Sequence, residues 1–380
     1  MHVSASLLPA PGLDEVVSLS FSGSPTQTGP VIICGQGLAG TLLAWELVKR
    51  GVPVLVMDEG ALVTSSKIAA GLVTPITGKR LSVSPGTGTF LAEAQECYAA
   101  SAQLLGRRHF HHMHQVRLFR NAEESCHLAQ KTRLPEFAAH LGPGQQKDGP
   151  LVDPALFHGD GTGFEMTTGG WLDTRGWLAD SAAWLAERGM LRTMALDPGA
   201  VVPEGEGVLL PDGTRASAIV FCEGHQARRN PWFPWVKWKC AKGEVLTVRV
   251  PELAAEQRII NWGSWLLPID NKGTFRTGST YEWNTLDVMP TPQGRAVLEG
   301  RLRALLRVPW EVTGHDAAVR PVIHESQARM GRHPVHPALV FFNGLGSKGV
   351  LHGPRYARLL AEHLVHGSPL PPEVDVAGNR

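Results

Sequence analysis

The sequence predicts an α/β chain of two domains, one Rossmann-like and the other rich in β-structure. Three observations carry this reading. Residues 31–58 spell a strand, a glycine-rich turn, a helix and a second strand, the order of a βαβ unit. From Lys242 onward, short apolar runs containing β-branched and aromatic residues replace helical periodicity. The length, 380 residues, exceeds what a single hydrophobic core usually serves.

The apolar run Val31 to Cys34 reads as a buried parallel strand. G-x-G-x-x-G follows as Gly35, Gly37 and Gly40, with Leu38 and Ala39 inside it. Gly35 permits the tight turn, Gly37 lets backbone N–H groups approach a pyrophosphate, and Gly40 lets helix and strand pack closely. The phosphates then sit at the positive end of the helix. Leu42, Leu43, Leu47 and Val48 recur at helical spacing, and Gly51 stops that helix. Val52 to Met57 reads as the second strand. Asp58 stands at its tip, 23 residues after Gly35, where a carboxylate accepts from ribose hydroxyls, and Glu59 follows it. A lone glycine motif means little in a chain with 42 glycines, but here strand, helix and acid all fall in place. Taken alone, the motif leaves NAD and FAD equally open.

Composition narrows the function classes. Apolar content of 43% and charged content of 19% describe an ordinary soluble globular protein. A formal charge of +1 gives no ground for steering toward nucleic acid or acidic membranes, and no apolar run reaches the length of a membrane span. Five cysteines without framework spacing point to reduced thiols and a cytoplasmic setting. Residues 1–29 lack the basic start and long apolar centre of a signal peptide, so they read as a flexible extension or a start-site artefact. Six of the eleven tryptophans (Trp232, Trp235, Trp238, Trp262, Trp265 and Trp283) crowd together, which predicts an aromatic wall or a hydrophobic interface.

Further elements follow in order. Ser65 to Gly71 is rich in small residues, suited to backbone lying against a large flat ligand, and a helix runs from about Thr89 to Leu105. His109, His111, His112 and His114 invite a metal reading, but no carboxylate or cysteine is woven among them and a solvated basic strand is the commoner outcome. No metal site is expected. Leu134 to Pro150 reads as a turn-rich surface segment. Trp171 to Gly189 reads as an amphipathic helix capped by Asp173 or Thr174, with Trp177 and Trp184 in the core. Short strands are expected around Ala200 to Val202, Gly207 to Leu210 and Ile219 to Cys222, the last ending at Glu223 and Gly224. Gly243 to Val250, Trp265 to Pro268 and Gly273 to Tyr281 form the β-rich part, and Gly294 to Leu306 a helix. The sheet texture then gives way at Ala317 to Pro321. Leu339 to Pro354 leads into a helix ending near His366, and His333 in its Gly-Arg-His-Pro turn reads as structural.

This order of signals resembles the D-amino-acid oxidase and glycine oxidase family of FAD-dependent amine oxidoreductases, from about Val31 to His366. The C-terminal pair of segments is most specific: Val319-Arg320-Pro321, then Gly331-Arg-His-Pro334, then Gly344, Gly349 and Gly353-Pro354. The resemblance implies a Rossmann-like FAD-binding domain from residues 30–108, 165–236 and 315–368. A smaller antiparallel-sheet α+β substrate domain takes residues 109–164 and 237–314. It also implies tight, non-covalent FAD, since no covalent attachment motif is recognisable. The partners it implies are a small amine or amino acid, oxidised to an imine by hydride transfer to flavin N5, and oxygen or another electron acceptor.

The cofactor-binding set it implies contains the three motif glycines with Leu38, Ala39, Asp58 and Glu59. Ser65, Ser66, Ala69, Ala70, Gly71 and Leu72 add the small-residue loop; Val202, Glu223 and Gly224 add two strand ends. Gly344, Gly346, Ser347, Lys348 and Gly349 close the set at the last helix, together with Arg320. Arg320 corresponds to the arginine that holds a substrate carboxylate, a task for which a planar guanidinium is the best group. Trp265 stands where glycine oxidases carry a substrate-side tyrosine, and Ser347 where they carry a second arginine. These departures speak against simple glycine or D-alanine specificity. Trp265 reads as pocket wall or as core. Lys348 reads as charge near flavin N1 or as a solvated loop lysine. A larger substrate, such as a modified tRNA side chain, and a flavin-binding protein without amine oxidase activity are the alternatives.

Overall fold

The computed structural model describes residues 29–142 and 149–378; the expected N-terminal extension up to residue 28 and part of the turn-rich segment lie outside the described residues. Two sheets organise the chain. The first has six strands in the order Leu191–Thr193, Val54–Asp58, Val31–Cys34, Ala218–Phe221, Leu339–Asn343, Arg329–Arg332. Its neighbours pair in parallel, except for the antiparallel final pair. Both faces are covered, which explains why its strands are unbroken apolar runs: Leu42, Trp177 and Leu360 pack on one side, Phe233, Val208 and Ile323 on the other.

The helix Leu38–Lys49 begins straight after the glycine turn. Gly35 has φ +108°, and a Cβ there would lie 2.6 Å from the Cys222 carbonyl oxygen. At Gly40 a Cβ would lie 1.9 Å from the Gly35 oxygen, so the helix seats on the strand only without a side chain. The expected helix before Gly189 spans Thr174–Glu187, and Asp173 caps it by accepting from the Gly176 N–H. Trp171 and Leu172 instead belong to the strand Gly170–Leu172. The last helix, Gly349–His366, carries Pro354 at its sixth position; proline has no N–H for the Val350 carbonyl, which accepts from the Tyr98 hydroxyl at 2.9 Å instead.

The second sheet has seven strands in the order Glu311–Arg320, Ala241–Arg249, Thr274–Gly278, Trp265–Pro268, Ile259–Asn261, Gln115–Leu118, Gly163–Met166. It is antiparallel but for the Ile259–Asn261 and Gln115–Leu118 pair. The helix Pro292–Leu305 lies on it through Leu298, Leu302 and Leu305, whereas Val297 is exposed.

Four expectations need correction. Sheet texture does not end before Ala317: Glu311–Arg320 pairs along its length with Ala241–Arg249, and Arg320 sits opposite Ala241. This strand therefore runs through residue 315 to Arg320 without a break. The segment after Leu134 holds the short helix Pro135–Ala138 with Phe137 buried. The clustered tryptophans scatter: Trp232, Trp235 and Trp238 pack on the six-stranded sheet, Trp262 on the seven-stranded one, and Trp283 is exposed. The histidine run is not solvated throughout: His112 and His114 are exposed, but His109 is buried against Asp180 and His111 lies on the Trp171 ring.

Candidate active site and cofactor cleft

One continuous cavity of about 900 Å³ runs from the carboxyl ends of the six-stranded sheet to the face of the seven-stranded one. This volume is at the upper end of the roughly 300–1,000 Å³ typical of small-molecule and cofactor sites. Its position, outside the strand ends where the parallel order reverses, is where open α/β sheets bind ligands.

At the sheet end the lining includes Gly35, Gly37, Leu38, Ala39, Asp58 and Glu59. The Asp58 carboxylate accepts from the backbone N–H of Gln36 and of Gly60, each at 2.7 Å. A carboxylate has about four acceptor sites, so capacity for sugar hydroxyls is left. Gly40 lies behind the wall, as its packing role demands. Ser66 donates no charge but anchors the turn: its Oγ accepts from the Leu38 N–H at 3.0 Å. A Cβ on Gly37 would come within 3.3 Å of that oxygen.

The middle of the cleft is walled by Ser65, Ala69, Ala70, Gly71 and Leu72. The helix Ser65–Ile68 is capped by Thr64, which accepts from the Lys67 N–H. Arg276 fixes this loop to the other sheet, donating from Nη1 to the Ala69 carbonyl at 3.0 Å and from Nη2 to the Ile68 carbonyl at 2.6 Å. Opposite stand Glu223 and Gly224. Burial pushes the Glu223 carboxyl up to about 7, against the Asn230 side-chain amide, which donates to it and pulls the other way. The neighbouring thiols of Cys34 and Cys222 are likewise pushed up by burial, so neither is a thiolate at neutral pH.

The far end is built around Arg320. Its guanidinium lies over Gly243, where a Cβ would meet Nη2 at 2.1 Å. Nη2 donates to Ser279 Oγ at 2.5 Å and Nη1 to the Thr280 carbonyl at 3.3 Å, while Cζ sits 4.3 Å from the Tyr281 ring centroid. Among the described residues no carboxylate pairs with it, and burial holds its pKa below the usual arginine value. Trp265, three strands along the same sheet, also lines the cavity, as do Gly346, Ser347 and Gly349. Lys348 does too, but its ammonium is engaged, donating to Ser84 Oγ at 2.7 Å. Burial lowers its pKa.

Two expected positions fall elsewhere. Val202 is 54% exposed on a small three-stranded sheet, outside the lining. The strand beside Val54–Asp58 is Leu191–Thr193, so the residues after it, Met194, Ala195 and Leu196, take the place expected for Val202. Gly344 is also outside the lining, packed so that a Cβ would strike Ile323 at 2.4 Å. Several lining residues carried no sequence signal: Arg228 and Arg229, Tyr281, and Leu286 to Val288. They come from turns whose path only the fold defines. His333, expected to be structural, accepts at Nδ1 from the N–H groups of Val335 and His336.

A glycine turn that admits backbone to an anion, an acid at the next strand tip and a long cleft together fit a dinucleotide cofactor. Residues 30–363 match the model of the FAD dependent oxidoreductase family, DAO. Two curated bacterial relatives are tRNA 5-methylaminomethyl-2-thiouridine biosynthesis bifunctional proteins. The one from Marinobacter nauticus is 22% identical across 91% of this chain and 57% of its own length. That from Paracidovorax citrulli is 26% identical across 97% of this chain and 62% of its length. The chain thus spans about six tenths of the curated relatives it matches. Among solved structures, glycine oxidase from Geobacillus kaustophilus superposes with a TM-score of 0.74 at 22% identity, covering 90% of this chain and 96% of that one. The chain belongs to the DAO family of FAD-dependent oxidoreductases, and its cofactor is FAD. Among the described residues no helix is long and apolar enough to cross a membrane.

Proposed function

We propose that this FAD-dependent oxidoreductase oxidises the C–N bond of an amine that also carries a carboxylate, giving an imine that water hydrolyses. The observation that carries the proposal is Arg320: a half-buried guanidinium on the cavity wall with no carboxylate partner among the described residues. Leaving such a cation unpaired is costly unless a ligand anion completes it.

Bound non-covalently, FAD supplies the two-electron acceptor for this oxidation. The chain's own residues bind and orient. Gly37, Leu38, Asp58 and the Ser65 to Leu72 loop hold the dinucleotide. Arg320 takes the carboxylate through its outward N–H groups while Ser279 and the Thr280 carbonyl keep its plane fixed. Trp265 walls the site and excludes water on the sheet side. Lys348 and the turn Gly346–Lys348 line the cleft and would supply positive potential to a bound, reduced cofactor.

A second reading, in which the amine is carried on a tRNA base, is favoured by the two curated relatives, whose names place them in tRNA modification. The near-neutral charge had argued against nucleic acid, and these relatives reopen that question. Incubation of the protein with amino acids, their decarboxylated counterparts and bulk tRNA, followed by trapping of carbonyl products, tests both. The expected result is a 2-oxo acid or aldehyde from carboxylated amines only. Equal turnover of the decarboxylated amines overturns the role given to Arg320.

A further inference from the structure

We propose that Tyr281 and Trp283 form a stacking shelf that receives a planar ring carried by the substrate, so that the substrate is a ring-bearing amine acid and not glycine. This rests on the reading of Arg320 as the carboxylate site. Large aromatic side chains seldom stand free in solvent without a partner to meet. Here two stand side by side, Tyr281 in the cavity wall and Trp283 beyond it: Tyr281 is 52% and Trp283 55% exposed. Their rings are stacked, with centroids 6.0 Å apart and planes at 29°. Tyr281 is at the same time part of the cavity wall and lies against the Arg320 guanidinium at 4.3 Å. The rings therefore continue outward, in two steps, from the cation assigned to the carboxylate.

The shelf is held in place. Thr280 N–H donates to the Glu244 carbonyl and Glu244 N–H to Thr280 Oγ1. Glu282 and Lys242 exchange both backbone hydrogen bonds. The Lys242 ammonium, on a side chain only 1% exposed, reaches Asp287 at 2.6 Å. The Glu244 carboxylate receives the N–H and hydroxyl of Thr291 at 2.9 and 2.7 Å, and lies 2.7 Å from His315 Nε2. A segment tied at both ends and at its middle does not fold its aromatics inward. Leu286, Asp287 and Val288 of the same segment line the cavity, so the passage beside the shelf has two apolar residues flanking a carboxylate tied to Lys242. Two sources present a suitable ring: a free small molecule, or a base within RNA. Both stack through the same π face.

The test uses the FAD-loaded full chain and two non-reacting carboxylates, acetate and 3-phenylpropionate, titrated against the visible flavin spectrum. Stacking on an aromatic platform is commonly worth tenfold or more in affinity. The expected result is that 3-phenylpropionate binds at least about tenfold tighter than acetate. This preference collapses in Trp283→Ala and returns in Trp283→Phe. A preference that survives Trp283→Ala overturns the shelf. Failure of the carboxylate reading looks different: Arg320→Ala then leaves acetate affinity unchanged, whatever happens at Trp283. Competition by bulk tRNA that depends on Trp283 assigns the ring to RNA, and its absence assigns the ring to a free molecule.

Discussion

A methyl group at Gly243 perturbs the carboxylate site without touching the residue that binds. The Gly243 backbone is not left-handed, so the strand accepts alanine. The added Cβ, however, would lie 2.1 Å from Arg320 Nη2 and 2.4 Å from both Cζ and Nη1. Ordinary contact begins at 3.4 Å, so the guanidinium must retreat by more than about 1 Å. It cannot do so and keep both its bond to Ser279 Oγ and its stacking on Tyr281. A misplacement of about 1 Å in a positioning group costs up to about 100-fold, equivalent to about 2.8 kcal/mol. Gly243→Ala is therefore expected to weaken carboxylate binding about 10- to 100-fold while FAD content stays at the wild-type level. Titrating acetate against the visible absorbance of the FAD-loaded variant measures this. An unchanged half-saturation point refutes the placement of Arg320.

Other consequences follow from the same geometry. Gly40→Ala drives a Cβ to 1.9 Å from the Gly35 oxygen and is expected to abolish FAD retention, read from the absorbance of the purified protein. Arg276→Met removes two bonds from a half-buried guanidinium to the Ala69 and Ile68 carbonyls; at about 1.5–3 kcal/mol for hydrogen bonds involving a charge, FAD affinity should fall at least about tenfold. Equal FAD affinity in the variant would show that the loop holds its shape unaided. Because the Glu223 carboxyl is raised from 4.5 to about 7 in the folded chain, it binds its proton more tightly there than when unfolded. Its stabilising contribution is complete below the unfolded value and is lost as pH rises through about 7, by up to about 3 kcal/mol. Urea midpoints of the cofactor-free protein should fall across that window, and Glu223→Gln should flatten the fall. Asp287→Ala leaves the buried Lys242 ammonium without its ion-pair partner, so it should lower the melting temperature more than Lys242→Met does.

The nucleotide half of the fold was legible because its signals are local. Val31 to Asp58 carries strand, turn, helix and acid within one short stretch, and Gly35 and Gly40 are glycines for steric reasons that hold wherever the motif occurs. Asp173 as a cap and Gly349–His366 as the last helix are local in the same sense. Long-range pairing was not legible. Glu311–Arg320 alternates weakly, and only its partner Ala241–Arg249 makes it a strand. Val202 is expected at the cleft and Met194 to Leu196 stand there instead, because sequence order does not say which short strand joins the sheet edge. Arg320 was found by family resemblance; its seat over Gly243 and its contact with Tyr281 required the fold. Trp283 was grouped with five other tryptophans by sequence proximity, although its neighbours pack inward on two different sheets.

The most direct measurement is anaerobic reduction of the FAD-loaded protein by a panel of carboxylated amines, wild type beside Arg320→Ala. Loss of the oxidised flavin band in the wild type with at least one such amine, slowed about 100-fold or more at equal amine concentration in Arg320→Ala with FAD retained, is the result expected. Equal bleaching of both proteins would contradict the account.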